Sequence, residues 1–174
     1  MTGVQTCALP ISSATRGFKS GGWPARAAAN TAFIPFKPEK VWSYEAGTRA
    51  DLFDNTLRLN ATAFYAITSD VQIPARIDVN GTQISTTTNP ADLSNRGLEI
   101  DATWAPIRGL NVIAGIGTQR ARYTNIAATV LAQAAVCRAN PTANYNGAPA
   151  CNANFVDMFG NIATPVRAPD YTVS

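Results

Sequence analysis

Three sets of residues in this sequence invite a chemical reading. Glu45, Glu99 and Asp101 offer carboxylate pairs of the kind that glycoside hydrolysis uses as acid and base. Such a pair needs a defined cleft and tuned pKa values, of which the sequence gives no sign, and the same residues read better as positions on a solvated strand face. Cys137 and Cys151 stand 14 positions apart and admit a disulfide, two free thiols or half of a metal site. Metal is disfavoured, because the sequence has no His and only Asp157 and Asp170 follow as acids. The stretch GFKSGG, Gly17 to Gly22, has the glycines of a phosphate loop without its Gly, four residues, Gly-Lys-Ser/Thr spacing. No residues emerge as catalytic, cofactor-binding or metal-ligating, and the chain is not expected to be an enzyme.

Composition narrows the elements that could position these groups. The 174 residues include 14 Lys and Arg against 11 Asp and Glu, a net charge of +3, with no basic tract of the kind that binds nucleic acid. At 46 % hydrophobic the chain is too apolar for disorder, while 12 Gly and 11 Pro interrupt it too often for a helical bundle. The absence of His removes the commonest general base and metal ligand. The longest uncharged, proline-free stretch with helical character, Ile126 to Cys137, is far shorter than the roughly 20 residues of a membrane-spanning helix. A soluble β domain and a membrane β-barrel remain, and the mean hydropathy of −0.04 fits either, because barrel strands alternate.

Periodicity decides more. Between Trp42 and Leu52 the even positions are uncharged and the odd ones include Glu45, Arg49 and Asp51. After a short turn at Phe53 to Thr56, Leu57, Leu59, Ala61, Ala63, Tyr65 and Ile67 alternate with Arg58, Asn60, Thr62, Phe64 and Ala66. This is a hairpin of period 2 on both arms. Leu98, Ile100, Ala102 and Trp104 alternate with Gly97, Glu99, Asp101 and Thr103, and after the turn at Ala105 to Gly109 the pattern continues as Leu110, Val112, Ala114 and Ile116. The expected strands run about nine to eleven residues, the length that crosses a bilayer when tilted.

The apolar faces mix Ala and Thr with aromatics, where a sandwich core would bury large branched side chains. Trp42 with Tyr44, Phe64 with Tyr65, and Trp104 collect at strand ends, as rings do at membrane interfaces. Connections alternate between short (Phe53 to Thr56, Ala105 to Gly109) and long (Ser69 to Ser94, Thr124 to Pro165). Tight periplasmic turns and extended extracellular loops produce that asymmetry. The expected fold is therefore all-β, a partial antiparallel transmembrane β-barrel with long extracellular loops. Its lumen-facing candidates are Glu45, Arg49, Glu99 and Asp101, able to pair across strands or to meet solute. Asn80-Gly81 predicts a hairpin within the first long connection, and Ile126 to Val136 a short loop helix. Arg120 and Arg122 mark the exit from the membrane toward headgroups or lipopolysaccharide. In an extracellular loop Cys137 and Cys151 are a disulfide candidate, a bridge that stabilises by about 3 kcal/mol on the loop-entropy estimate.

Residues 1–12, MTGVQTCALPIS, lack the basic start and sustained apolar core of a signal peptide. They are similar to the translation of a common sequencing adapter, and are expected to be non-native, so that Cys7 carries no biology. Residues 13–174 are then expected to be the barrel fragment itself.

The runs GFKSGG, FKPEKVWSYEAGTRADLFDNTLRLNATAFY (Phe36 to Tyr65) and TTNPADLSNRGLEIDATWAPIRGL (Thr87 to Leu110) resemble the barrel of TonB-dependent outer-membrane receptors. Asp70 and Gln72 after Phe64-Tyr65, the Asn95 to Glu99 run and Ala168 to Thr172 belong to the same likeness, which places the chain in the C-terminal third of such a barrel. The resemblance implies a Gram-negative outer-membrane receptor for energy-coupled uptake of a scarce solute: an iron chelate, a vitamin or a saccharide. It implies as partners that small ligand, outer-membrane lipid and lipopolysaccharide, and an inner-membrane energy transducer reached through a plug domain. Neither the plug nor the family's terminal aromatic strand has a counterpart here, so a fragment with two open edges is expected. A passive porin-like channel and a soluble β-sandwich binding module remain as alternatives.

Overall fold

A computed structural model describes residues 7–24, 33–79, 82–139, 155–157, 159–165 and 168–174. Eight strands and one helix follow in order: β1 Cys7–Lys19, β2 Glu39–Leu52, β3 Leu57–Ser69, β4 Ile73–Val79, β5 Thr82–Thr88, β6 Asp92–Trp104, β7 Val112–Thr124, α1 Ala128–Ala139 and β8 Tyr171–Val173. Six strands form one antiparallel sheet in the order β1-β2-β3-β6-β7-β8, and β4 pairs with β5 apart from it. The sheet does not close, so β1 and β8 are open edges.

Turn chemistry sets the register. Leu52 faces Leu57 across a four-residue turn in which Phe53, Asp54 and Asn55 have φ of 52°, 53° and 64°. Asp and Asn visit this left-handed region at low cost. Thr56 closes the turn by donating its N–H (3.1 Å) and hydroxyl (2.7 Å) to the Phe53 carbonyl. Between β6 and β7, Gly109 supplies φ of 86°. The long connection from β3 to β6 contains the β4–β5 hairpin; its turn residues Asn80 and Gly81 lie outside the described residues.

The main strands have 13 or 14 residues, longer than the expected nine to eleven, and the extra length lies toward the long connections. There the outward positions turn polar or charged, so apolar alternation stops while the hydrogen-bonded ladder continues. Arg120 and Arg122 accordingly lie within β7, not after it. The loop helix forms over Ala128–Ala139, two to three residues later than its expected range. β1 was not legible as a strand at all, since its pairing to β2 needs only backbone groups. Within it Leu9 and Ile11 fall on the polar face, opposite Arg49 and Gly47, while Ser12 falls on the apolar face opposite Ala46.

Pairing lines up one uncharged block across the central strands. The rows Leu52–Leu57–Trp104–Val112, Ala50–Leu59–Ala102–Ala114, Thr48–Ala61–Ile100–Ile116 and Ala46–Ala63–Leu98–Thr118 contain no charge. Next come Tyr44–Tyr65–Arg96–Arg120 and Trp42–Ile67–Ser94–Arg122. From the Leu57–Trp104 row to these belts is eight to ten residues, roughly 27 to 34 Å along a strand at about 3.4 Å per residue. A tilt of about 40° reduces that to about 20 to 26 Å, which matches the apolar band of an outer-membrane barrel, about 25 Å tall. Of Phe64 and Tyr65, only Tyr65 belongs to the outer belt, because successive strand residues point to opposite faces.

The apolar face is uncovered: Trp42, Tyr44, Trp104 and Ile116 are 42–50 % exposed. Along β7 the outward Ile116, Thr118, Arg120 and Arg122 are exposed, whereas Gly117, Gln119, Ala121 and Tyr123 on the other face are half-buried. Buried apolar residues among those described are Ala91, Ala134, Cys137, Phe155 and Val156, all in the long connections. Val130 and Ile162 pack on the Ala134–Cys137–Val156 cluster, and the Phe155 ring meets Tyr123 edge-on at 4.7 Å. Asp157 anchors the next turn, accepting from the N–H groups of Phe159 (2.9 Å) and Asn161 (2.8 Å) and from the Asn161 side chain (2.9 Å). These hydrogen bonds, the Asn161 side chain foremost, hold its carboxyl below the usual range.

A face that meets hydrocarbon penalises charge that the other face tolerates. Ile100→Arg, central on the apolar face, is expected to lower unfolding stability in a bilayer by about 2–4 kcal/mol. Thr62→Arg, on the polar face, should change it little, and denaturant unfolding of the reconstituted protein measures both.

Candidate functional site: the polar face and its rim

The polar face presents Glu45, Gly47, Arg49 and Asp51 from β2, Arg58, Asn60, Thr62 and Phe64 from β3, and Gly97, Glu99, Asp101 and Thr103 from β6. All four lumen-facing candidates therefore share one face, placed there by period-2 alternation and by the two short turns. They do not pair with one another. Arg49 and Asp101 lie in one row with Asn60 between them; Glu45 opposes Phe64, and Glu99 opposes Thr62 and Gly117. Among the described residues the ion pair on this face is Arg58 Nε to Asp51 Oδ1 at 2.8 Å. Being partly exposed it contributes about 0.2–1 kcal/mol. Glu45, Arg49, Glu99 and Asp101 make no ion pair among the described residues.

One close approach shapes this wall. The Phe64 ring lies over Gly97, where an added Cβ would meet Phe64 Cζ at 2.5 Å and also the Thr118 carbonyl oxygen. An aromatic folded across a cross-strand glycine fills the gap and pins the register of β3 on β6. A depression of about 360 Å³ on the neighbouring strands is lined by Ile11, Ser13, Glu45, Arg49, Asn60 and Thr62, among others. It brings Glu45 and Arg49 to one hollow and leaves Glu99 and Asp101 outside it.

At the long-loop end a polar latch joins three connections. Gln72 donates from its side chain to the carbonyls of Ser20 (2.9 Å) and Lys37 (3.1 Å), while its N–H reaches Glu39 Oε2 (2.8 Å). Asn89 accepts from the Lys37 N–H (2.8 Å) and donates to the carbonyls of Lys37 (3.2 Å) and Asp70 (2.6 Å). Lys37 Nζ sits 3.2 Å from Asp70 Oδ1, and Asp92 accepts from the Asp70 N–H (2.8 Å) and the Asn125 side chain (2.7 Å). Asp70 and Asn125 have φ of 53° and 48°, so each bends the chain where it enters or leaves a strand. Asp70 and Gln72 were singled out by resemblance alone, and the latch explains their types. Asn89 lies in the Thr87 to Leu110 run that carries the resemblance, but its role had no local signal, since its partner Lys37 lies 52 residues away.

Cys137 is fully buried in α1 and disulfide-bonded; Cys151 lies outside the described residues. Cys7 begins β1 opposite Asp51, beside the Phe53–Thr56 turn. Cys137 follows β7 in a long connection, at the opposite end of the strands. No cluster of three metal-ligating side chains occurs among the described residues.

Comparison with known proteins agrees with this geometry. The family model for the TonB dependent receptor-like β-barrel matches residues 9–173. Among solved structures, the ferric yersiniabactin uptake receptor FyuA from Yersinia pestis is similar at 25 % identity with a TM-score of 0.52, over 68 % of this chain and 17 % of that one. The copper transporter OprC aligns at 16 % identity and a TM-score of 0.45, over 65 % of this chain and 18 % of its own. With its short turns, long connections, uncovered apolar face and charged opposite face, the chain belongs to the TonB-dependent receptor β-barrel family.

Proposed function

We propose that this chain is a segment of barrel wall in a receptor that takes up a scarce solute across the outer membrane of a Gram-negative bacterium. The observation that carries the reading is the division of one sheet into an exposed apolar face bounded by aromatics and an opposite face bearing Glu45, Arg49, Glu99 and Asp101, which form no ion pair among the described residues. The apolar face meets lipid and, at the long-loop end, lipopolysaccharide. The charged face lines the lumen, where the ligand passes once an inner-membrane energy transducer acts on the plug of the whole receptor. The likeness to a ferric-chelate receptor favours an iron chelate over a vitamin or a saccharide as the solute. Cells carrying the full-length receptor are expected to show saturable uptake of a ferric chelate that a protonophore abolishes. Uptake that is linear in concentration and indifferent to the protonophore would identify a passive channel and overturn the proposal.

We also propose that Cys137 bridges to Cys151 and staples the second long loop. Cys7, the third cysteine, starts at the far end of 13-residue strands, about 40 Å away along the sheet at 3.3 Å per residue. Peptide mapping without reduction is expected to recover the Cys137–Cys151 linked pair. Recovery of both as free thiols, or of Cys137 linked to Cys7, would refute the pairing.

Residues 1–12 we read as foreign to the barrel, and 13–174 as the receptor segment. The inverted parity of Leu9, Ile11 and Ser12 supports this, because a native lipid-facing strand would place them the other way. Resequencing the source DNA with reads longer than the gene should replace these residues by barrel sequence of correct parity, continuous with a plug domain upstream. Unchanged codons 1–12 would rule it out.

A further inference from the structure

The outward face carries cations where its apolar block ends. Register places Tyr44, Tyr65, Arg96 and Arg120 side by side across four strands, with Arg122 one row nearer the long connections on the same face. The three arginines are exposed and make no ion pair among the described residues. Asp92, on the same strand face as Arg96, already uses both oxygens, on the Asp70 N–H and the Asn125 side chain, and Asp170 lines a depression with Arg120 and Arg122 without forming an ion pair among the described residues.

Arg96 and Arg120 are directly opposed like charges on neighbouring strands. Such a pair destabilises a sheet unless an anion lies against it. Guanidinium forks converging from two strands match the oxygens of a phosphate group, with which arginine forms bidentate, charge-assisted bonds. A depression of about 700 Å³ lies at the pair, lined by Tyr65, Arg96, Leu98 and Arg120 of this face together with Phe64 and Gln119 of the opposite one, among others. Immediately below it the face returns to the uncharged rows of Leu98 and Ile100, so one ligand is asked to be anionic above and apolar below.

We propose that Arg96, Arg120 and Arg122 form a clamp for the phosphate of an outer-leaflet glycolipid, the lipid A portion of lipopolysaccharide, whose acyl chains descend along Leu98, Ile100 and Ile116. The clamp rests on the reading that this face meets lipid. Its level fits, since aromatic rings mark the interface and the arginines stand among and just beyond them. Three cations gathered within two rows exceed what the single phosphodiester of a phospholipid requires and suit a lipid bearing two phosphates.

The test uses the full-length receptor, delipidated in detergent, with three probes: bisphosphorylated lipid A, the same lipid after removal of its phosphates, and phosphatidylglycerol. Native mass spectrometry is expected to show the first bound at least about tenfold more tightly than the other two, the scale of a few cation–phosphate contacts near a membrane surface. Substituting Arg96→Gln, Arg120→Gln and Arg122→Gln together should erase that preference, while Lys at all three positions should keep most of it. Arg122→Gln alone should weaken the preference and serves if the triple Gln variant does not fold. Equal binding of the dephosphorylated lipid or of phosphatidylglycerol, or a preference unchanged by Gln, would overturn the clamp. A receptor that stays monomeric in water without detergent would instead overturn the lipid-facing reading beneath it.

Discussion

The constraint on which this structure depends is that backbone N–H and C=O groups inside a bilayer must be satisfied by the protein, because hydrocarbon supplies no partner. Continuous antiparallel ladders across β1, β2, β3, β6 and β7 meet it, each pair bonded over 12 or 13 residues, while β8 covers only Ile116 to Thr118 of β7. Once the ladder is continuous, side chains must alternate between two environments, and every residue's face follows from register. A slip of one residue at the Phe53–Thr56 turn would send Glu45 and Arg49 into lipid and Tyr44 into the lumen. The left-handed Asp54-Asn55 turn and the Phe64–Gly97 contact are thus more than local details, since they hold the register on which both faces depend.

The sheet has no conventional core. Its apolar residues are exposed in the isolated chain, and the buried cluster lies among the long connections, where α1 packs on the segment around Val156. Stability is therefore divided. The wall relies on lipid to cover its apolar rows, whereas the loops carry their own small core, a disulfide at Cys137 and the polar latch of Gln72, Asn89 and Asp92. That division lets the loops keep their shape without drawing on the wall.

Charge is distributed by the same logic. On the inner face, Arg49 and Asp101 share a row with Asn60 between them, and Arg58 with Asp51, directly opposed, is the ion pair that forms there among the described residues. At the long-loop rim, carboxylates are used to receive backbone and amide N–H groups more than to neutralise cations, as Glu39, Asp92 and Asp157 each show. On the outer face, cations gather in a belt with Trp42 and Tyr44, whose rings stack at 6.0 Å, and Arg16 sits 5.5 Å over Trp42. Cation–π contact keeps such a guanidinium on the surface without a carboxylate.

Much of this was legible from residue order alone. Period-2 alternation identified the central strands, the two faces and the common face of Glu45, Arg49, Glu99 and Asp101, because a side chain's direction in a strand depends only on its parity. Turn chemistry located both short hairpins, and composition excluded helical spans. Residue order did not reveal where strands end once their outward residues become polar, that residues 7–19 add a strand, or that the Phe64 ring lies over Gly97. Neither did it reveal that Asn89 ties together segments 52 positions apart, or that Arg96 and Arg120 stand opposed. Those features arise from pairing between distant strands, where backbone hydrogen bonds carry no side-chain signature and neighbours are chosen by register, so they existed only once the sheet was assembled.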